Sequence, residues 1–334
     1  MKAHYTPYRL VFYKPAQTSR EILTSKETFI LTLQHEGKKG VGECALFRGL
    51  SAEDPVQYKK KLDWLCENIS LDPSVISDEL RSYPSLWTGY EQAIRNMKYG
   101  QDLYFPSAFT ETKDSIKING LIWMGEPDFM KNQIQEKIAE NYTCIKLKIG
   151  AFWDKERDLL RHIRRKYSVE QLEIRVDANG AFGIEEAPKI LEELARLNIH
   201  SIEQPIKPKR EYEMKKLCKN SPLPIALDEE LIGRFYPKEK KAVLEYIRPQ
   251  YIILKPSLIG GFSGCNEWIA LAEKMNIGWW ITSALESNIG LNALSQYTYT
   301  KKNTLPQGLG TGALFSNNFR TPLLLKNDRL WYTR

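Results

Sequence analysis

The sequence predicts an α/β protein: a barrel of parallel strands, each followed by a helix, with a smaller α+β domain before it. The length of 334 residues suits a barrel of about 250 residues with an added domain. From about residue 117, short β-branched runs alternate with amphipathic helical patterns. Polar residues at the ends of these runs recur every 25 to 31 residues, close to the roughly 30 residues per barrel unit.

The first hundred residues have an α+β pattern. Two segments have strand composition, a glycine-containing turn follows the second, and a third strand returns from it. Ser51 is expected to cap a helix with acidic residues in its first turn, and a second helix follows. The predicted strands are 3–13, 26–36 and 41–46, the turn is 37–40, and the helices are 51–69 and 86–97.

Seven apolar runs in the rest of the chain are expected to be barrel strands. A helical pattern follows each run, for example at 185–197 and 267–275. An open doubly wound sheet would alternate in the same way, but it would usually carry a glycine-rich phosphate turn after its first strand. No such turn is present, so the barrel is favoured. The runs are 116–122, 143–149, 172–177, 199–203, 224–228, 251–255 and 277–282.

Composition excludes several classes of protein. The five cysteines are scattered without CxxC spacing, which argues against a disulfide framework or a zinc knuckle and fits a reducing cytoplasm. No stretch approaches the roughly 18 apolar residues of a membrane helix, and no secretory signal is recognisable. We therefore expect a cytoplasmic protein with no membrane partner.

The net charge of +7 and the histidines bear on ligands. The lysine runs lie on predicted helix surfaces without interleaved aromatic residues, so no nucleic-acid partner is expected. A small anionic substrate suits the positive charge. The four histidines do not cluster, so a bound metal is expected to have oxygen ligands, as Mg²⁺ or Mn²⁺ does.

Three carboxylates end successive predicted strands: Asp177, Glu203 and Asp228. One acidic residue at a strand end is more often a helix cap than a metal ligand. Active-site residues of a barrel lie at the carboxyl ends of its strands, so these three should converge at one mouth. Three converging carboxylates require a cation, and with water and substrate oxygens they make an octahedral magnesium site.

Lysines accompany the carboxylates. Lys146 and Lys148 lie two residues apart on one strand and share its face, which in a barrel is the interior. We expect each to lower the pKa of the other toward the range of a general base. Lys255 ends a strand across the mouth from Lys148. A site with a lysine on either side and a metal between them is suited to removing a proton next to a carboxylate.

The motif series resembles the muconate-lactonising subgroup of the enolase superfamily over nearly the whole chain. The motifs are KxK at 146–148, DxN at 177–179, the segments around Glu203, Asp228 and Lys255, and a "GE" strand at 42–45. The resemblance implies a (β/α)7β modified TIM barrel with an N-terminal α+β capping domain. It places the cap at 1–112 with the tail 318–334, the barrel at 113–317, and the last strand near 309–311.

The same resemblance implies roles for the site residues. Asp177, Glu203 and Asp228 would be the metal ligands. Lys148 would be the acid/base, Lys255 would lie on the opposite face, and Lys146 would complete the catalytic set.

Two further segments narrow the reaction. Residues 283–290 and 308–311 resemble the o-succinylbenzoate synthase family, and the DxD-type segment of dipeptide epimerases is absent. The resemblance implies a metal-dependent syn dehydration of 2-succinyl-6-hydroxy-2,4-cyclohexadiene-1-carboxylate in menaquinone biosynthesis, through an enediolate formed by a lysine base. N-acylamino acid racemisation and muconate-type cycloisomerisation stay open, as does a catalytically inactive barrel that acts as a binding protein.

The expected substrate contacts are Arg175, Ser283, Gly308 and Arg20. Arg175 matches a substrate-carboxylate position of these synthases, although an ion pair within a barrel layer explains it equally well. The loops 16–20 and 47–49 are expected to close over the substrate, and simple surface connections are the alternative for both.

Overall fold

The structure is a computed structural model, and it describes residues 1–17 and 22–333. The predicted substrate contact Arg20 and most of the predicted lid at 16–20 lie outside these residues. No helix in the described ranges is long and apolar enough to cross a membrane.

An antiparallel sheet opens the chain, in the order β1 (Lys2–Gln17), β2 (Ile22–His35) and β3 (Lys38–Cys44). His35 pairs with Lys38, so Glu36 and Gly37 form a two-residue turn. Their φ values of 49° and 75° belong to the turn type whose twist matches that of the flanking strands. The predicted strand–turn–strand unit is confirmed.

Three helices follow: α1 (Tyr58–Glu67), α2 (Pro73–Glu79) and α3 (Pro84–Tyr99). The predicted helix start at Ser51 was wrong, because Ser51 Oγ accepts a hydrogen bond from Phe47 N and closes a turn instead. Pro55 also disfavours a helical conformation at Asp54. Helix α2 was not predicted; Asp72 caps it by accepting a hydrogen bond from Ser74 N.

The predicted strand 116–122 divides into two. β4 (Ser115–Lys117) and β5 (Gly120–Ile122) belong to different sheets. Between them, Ile118 N donates to Asp328 O, and Asn119 N donates to Gln307 O. The prediction of one strand was wrong because an apolar run does not reveal that its two halves pair with different partners.

The barrel contains parallel strands and surrounding helices. In the described part of the chain, seven strands form one sheet in the order β11 to β5. After β5, the strands are β6 (Cys144–Lys148), β7 (Glu173–Asp177), β8 (Ser201–Glu203), β9 (Ile225–Leu227), β10 (Tyr251–Leu254) and β11 (Gly278–Ile281). The helices are α4 (Pro127–Ala139), α5 (Trp153–Lys166), α6 (Ala187–Arg196), α7 (Glu211–Asn220), α8 (Pro237–Ile247), α9 (Pro256–Ile259), α10 (Gly261–Lys274) and α11 (Asn288–Thr300).

The eighth strand position closes the barrel. Gln307 bridges Ile118 on one side, and Gly308 bridges Thr282 on the other, both in parallel. This lies two residues before the predicted position near 309–311. The modified TIM barrel with an N-terminal capping domain is confirmed.

The C-terminal tail contacts both parts of the molecule. Ser316 N donates to Val11 O of β1. Further on, β12 (Leu323–Lys326) and β13 (Arg329–Tyr332) form a hairpin that pairs with β4. The domain limits 1–112 with 318–334, and 113–317, stay a prediction.

The apolar core has two main parts. One fills the space between the barrel strands and helices and includes Ile174 and Leu191. The other lies between the N-terminal sheet and its helices and includes Leu31 and Leu62. The barrel and the N-terminal sheet are therefore each stabilised by an apolar cluster.

Candidate active site

The barrel register brings the predicted charged residues together. Lys148 pairs with Asp177, and Asp177 pairs with Glu203, across adjacent parallel strands. Asp228 directly follows β9, and Lys255 directly follows β10. All five therefore lie at the carboxyl ends of neighbouring strands, which is the mouth of a barrel.

Lysines and carboxylates alternate in one buried cluster. Lys146 Nζ lies 3.2 Å from Asp177 Oδ2 and 2.9 Å from Glu203 Oε2. Lys148 Nζ lies 2.7 Å from Asp177 Oδ2. Lys255 forms an ion pair with Asp228 and lies 3.6 Å from Glu203 Oε1. Each buried charge has an opposite charge beside it, as burial requires.

The cluster shifts the pKa values of its members. Burial raises the pKa of Glu203 to about 7, and the nearby Asp177 adds to the rise. Burial also opposes ionisation of Asp177, but Lys148, Lys146 and Lys255 outweigh it and lower its pKa. Burial raises the pKa of Asp228.

The expected pKa of Lys146 was wrong. Burial alone would lower the pKa of this lysine, but the carboxylates of Glu203 and Asp177 outweigh burial and raise it. The pKa of Lys255 is raised in the same way, chiefly by Asp228. The prediction took only the repulsion between the lysines into account, whereas the carboxylates lie 2.9 and 3.2 Å from Lys146 Nζ and determine the direction of the shift.

The donor set is suited to a hard divalent cation. Among the described residues, no three His, Cys, Asp or Glu side chains lie in the arrangement of a metal site. Lysine ammonium groups lie between the carboxylates instead. Glu203 Oε1 is nonetheless buried without a hydrogen-bond partner there. The oxygen-only set of Asp177, Glu203 and Asp228 can hold Mg²⁺ or Mn²⁺ once the ammonium groups move aside.

A cavity opens at the lysines. Lys146, Lys148 and Lys255 line it, and Asn179 accepts a hydrogen bond of 2.7 Å from Lys148 Nζ. The remaining wall is mostly apolar or carries hydroxyl groups. Its residues include Leu23, Phe47 and Leu50 of the N-terminal part and Leu121, Trp123, Ala284, Leu285 and Thr311 of the barrel. Such a cavity fits an anion with an apolar body.

Two of the predicted substrate contacts, Ser283 and Gly308, line this cavity. Arg175 does not lie among the lining residues. Its Nε donates to Glu173 at 2.7 Å, its Nη1 donates to Pro306 O at 2.9 Å, and its guanidinium lies 4.1 Å from the ring centroid of Trp280. These contacts correspond to the barrel-layer ion pair that the sequence analysis left open.

The predicted site residues did not include two lining residues whose side-chain oxygens accept no hydrogen bond from the described part of the chain. Asn119 and Thr282 are buried, and neither Asn119 Oδ1 nor Thr282 Oγ1 has a hydrogen-bond partner among the described residues. Buried polar atoms are nearly always paired, so these two are available to a ligand. The available signal was a polar residue inside a predicted barrel strand, as Asn119 lies two residues before the lining residue Leu121.

Comparison with known proteins identifies the class that this fold and site define. Residues 130–329 match the family described as enolase C-terminal domain-like. The chain belongs to the enolase superfamily.

Full-length relatives narrow the family. The chain is 45% identical to an o-succinylbenzoate synthase of Desulfotalea psychrophila, over 99% of this chain and 98% of the relative. The crystal structure of MenC from that organism superposes with a TM-score of 0.89 at 42% identity and covers 99% of both chains. Within the superfamily, the chain groups with the o-succinylbenzoate synthases.

More distant relatives have other names. An N-succinylamino acid racemase of Thermus thermophilus is 31% identical over 82% of this chain and 75% of the relative. The L-Ala-D/L-Glu epimerase of Bacillus subtilis superposes with a TM-score of 0.85 at 18% identity, covering 99% of this chain and 96% of that one. The latter similarity shows the fold alone.

Proposed function

We propose that the chain catalyses the metal-dependent syn dehydration of 2-succinyl-6-hydroxy-2,4-cyclohexadiene-1-carboxylate to o-succinylbenzoate. It is a carbon–oxygen lyase, a hydro-lyase, that acts on a small carboxylate in menaquinone biosynthesis, and we place it in the cytoplasm. The observation that carries the proposal is that Lys148 and Lys255 line one cavity beside three buried carboxylates. The full-length identity of 45% to a synthase supports the choice of reaction.

Asp177, Glu203 and Asp228 are the proposed metal ligands, with Mg²⁺ as the cation and Mn²⁺ as a substitute. When bound, the cation offsets the negative charge that develops on the substrate carboxylate as the α-proton leaves. The oxygen-only donor set supports this assignment, as does the buried Glu203 Oε1, which accepts no hydrogen bond from the described residues.

Lys148 is the proposed acid/base. As a free amine, its Nζ removes the proton α to the carboxylate, and the electrons of the C–H bond form a new double bond. The C–O bond of the ring hydroxyl breaks, the same ammonium group returns the proton, and water leaves. Asn179 Oδ1, which is 2.7 Å from Nζ, holds the lysine in place at the cavity.

Lys255 and Lys146 supply fixed positive charge. Both line the cavity, and the carboxylates beside them raise the pKa of Lys146 and of Lys255, so both stay protonated during the reaction. Positive charge placed in advance beside the developing anion lowers the barrier to proton removal.

Racemisation of an N-succinylamino acid is a second candidate. Lys148 and Lys255 both line the cavity, and removal and return of a proton on opposite faces requires two such bases. The 31% identity to an N-succinylamino acid racemase also favours this activity.

An absorbance assay separates the two candidates. The chain is given the cyclohexadiene carboxylate with Mg²⁺, and again with excess chelator. Turnover that requires the metal supports the synthase. No turnover, combined with exchange of the α-proton of N-succinylamino acids in deuterium oxide, would make racemisation the function.

A further inference from the structure

One side of the cavity consists of residues 283–285, which follow β11 and are called here the pocket wall. Leu285 lines the cavity with a φ of 62°. This left-handed conformation is unusual for a leucine and is strained. A strained backbone persists where its surroundings hold it, so the contacts of the pocket wall identify what shapes the cavity.

Lys26 of β2 makes those contacts from the N-terminal part of the chain. Its Nζ donates to Ala284 O at 3.0 Å and to Leu285 O at 2.9 Å. The side chain is 7% exposed. A buried ammonium group without hydrogen-bond partners is strongly disfavoured, so these two hydrogen bonds fix the positions of Lys26 and of the two carbonyl groups. Lys26 Nζ also lies 5.6 Å from the ring centroid of Phe47, which lines the same cavity.

Two buried carboxylates anchor the segment on either side of these carbonyl groups. Glu286 accepts hydrogen bonds from Ser283 Oγ at 2.6 Å and from Ala284 N at 2.8 Å. Glu43 of β3 accepts from Ser287 N at 2.9 Å and Ser287 Oγ at 2.6 Å. The pocket wall is therefore held by charged groups from both parts of the molecule.

The pocket wall lies across the barrel from Asp177. It follows the seventh strand, β11, whereas Asp177 ends β7, four strands away in the sheet order. In a ring of eight strands these positions are opposite. Under the proposed function, a substrate carboxylate held near Asp177 would place the remote substituent toward Ala284 and Leu285, which line the same cavity.

We propose that Leu285 selects the substituent of the substrate remote from the reacting carboxylate, here the succinyl chain, and that Lys26 is the positioning residue that holds Leu285 in its strained conformation. The inference rests on the proposed function, because it takes an o-succinyl aromatic compound as the ligand. Selection of the succinyl chain then depends on how the N-terminal sheet packs on the barrel, because the Lys26 ammonium group of that sheet holds the pocket wall.

The first test measures the binding of two ligands by calorimetry in the presence of Mg²⁺. o-Succinylbenzoate carries the succinyl chain, and benzoate keeps the carboxylate without it. In Lys26→Met we expect about tenfold weaker binding of o-succinylbenzoate, as loss of charged hydrogen bonds predicts, and unchanged binding of benzoate. Lys39→Met, an exposed lysine on the adjacent strand β3, is the matched control and should change neither affinity.

A second test asks whether Lys26 acts through Leu285. Leu285→Gly keeps a backbone that accepts positive φ and removes the side chain that contacts the ligand. It should weaken o-succinylbenzoate binding selectively, and adding Lys26→Met should weaken it little further, because both changes act on the same wall. If Lys26→Met does not fold, Lys26→Gln takes its place in the comparison.

Equal weakening of both ligands in Lys26→Met, or additive losses in the double variant, would overturn the inference. If either result is obtained while the wild-type chain turns over the cyclohexadiene carboxylate, the role of Lys26 is refuted and the proposed function is not. A wild-type chain without that turnover would refute the proposed function itself.

Discussion

At the scale of single residues, charged groups on the inner face and at the ends of the barrel strands were the most predictable feature. Lys146, Asp177 and Glu203 stand out because a barrel interior tolerates such charges only in compensating groups. Their register and mutual ion pairs follow from parallel pairing of β6, β7 and β8. The direction of the pKa shift of Lys146 was not predictable, because it depends on which charge lies nearest, and that requires coordinates.

The uncharged site residues were harder to find. Asn119 and Thr282 carry no motif, and their importance lies in hydrogen bonds that they do not make. The sequence records that a residue is polar, but not whether a neighbour satisfies it. The strained conformation of Leu285 is hidden for the same reason, since leucine gives no local signal for positive φ.

Thr282→Val is predicted to stabilise the fold and to weaken substrate binding. The change is nearly isosteric and removes a buried hydroxyl oxygen without a described partner, so the free energy of unfolding should rise by about 1 kcal/mol, while KM rises. Chemical denaturation and steady-state kinetics measure the two effects. Thr28→Val is the control and should lower the free energy of unfolding, because the hydroxyl of Thr28 donates a hydrogen bond of 2.8 Å to Glu43. A destabilised Thr282→Val would contradict the prediction.

At the scale of secondary-structure elements, strands with one pairing environment were predicted to within about two residues. β6, β7 and β10 lie inside the predicted runs. The failures involve elements whose limits depend on partners distant in sequence. The split between β4 and β5 requires Asp328 and Gln307, and the true start of α1 depends on the turn closed by Ser51.

The contact between α3 and α10 gives a pH-dependent prediction. Glu91 of α3 accepts hydrogen bonds from Phe262 N and Ser263 N at the start of α10, and burial raises its pKa from 4.5 to about 7. Because the folded carboxyl holds its proton to higher pH than the unfolded one, its contribution to stability falls as pH rises from about 4.5 to 7. Between about pH 5 and 8, the free energy of unfolding of Glu91→Gln should therefore fall by roughly 2 kcal/mol less than that of the wild type.

Denaturant titrations at several pH values test this contribution. Glu67→Gln, an exposed glutamate on α1, is the control and should leave the pH profile as it is in the wild type. A Glu91→Gln profile parallel to that of the wild type would contradict the assignment of the pH dependence to this contact.

At the scale of the whole molecule, the regular spacing of strand ends predicted the barrel, and the motif order predicted the superfamily. What could not be predicted is how the two parts of the molecule share one cavity. Leu23 and Phe47 line it from the N-terminal part, and Lys26 crosses to the carbonyl groups of Ala284 and Leu285. These contacts join residues more than 200 positions apart, and neither local pattern nor periodicity reveals them.

Metal binding should stabilise the whole chain. A cation held by Asp177, Glu203 and Asp228 binds the folded state, so a free Mg²⁺ concentration of 100 times Kd should add about 2.7 kcal/mol to the free energy of unfolding. Glu203→Gln keeps the side-chain shape but removes a charge, and it should lose most of this gain. Thermal unfolding with Mg²⁺, against sodium chloride of equal ionic strength, measures the effect. An equal gain in both proteins would rule out Glu203 as a ligand.

The proposed role of Lys148 is to transfer the proton during dehydration. The decisive measurement is the kcat of Lys148→Ala with the cyclohexadiene carboxylate at saturating Mg²⁺. We expect kcat to fall by about 10² to 10⁴-fold, the range for removal of a general acid/base. Mg²⁺ should still raise the melting temperature of the variant as it does in the wild type. A variant that keeps its metal response and turns over at a rate near that of the wild type would contradict the claim.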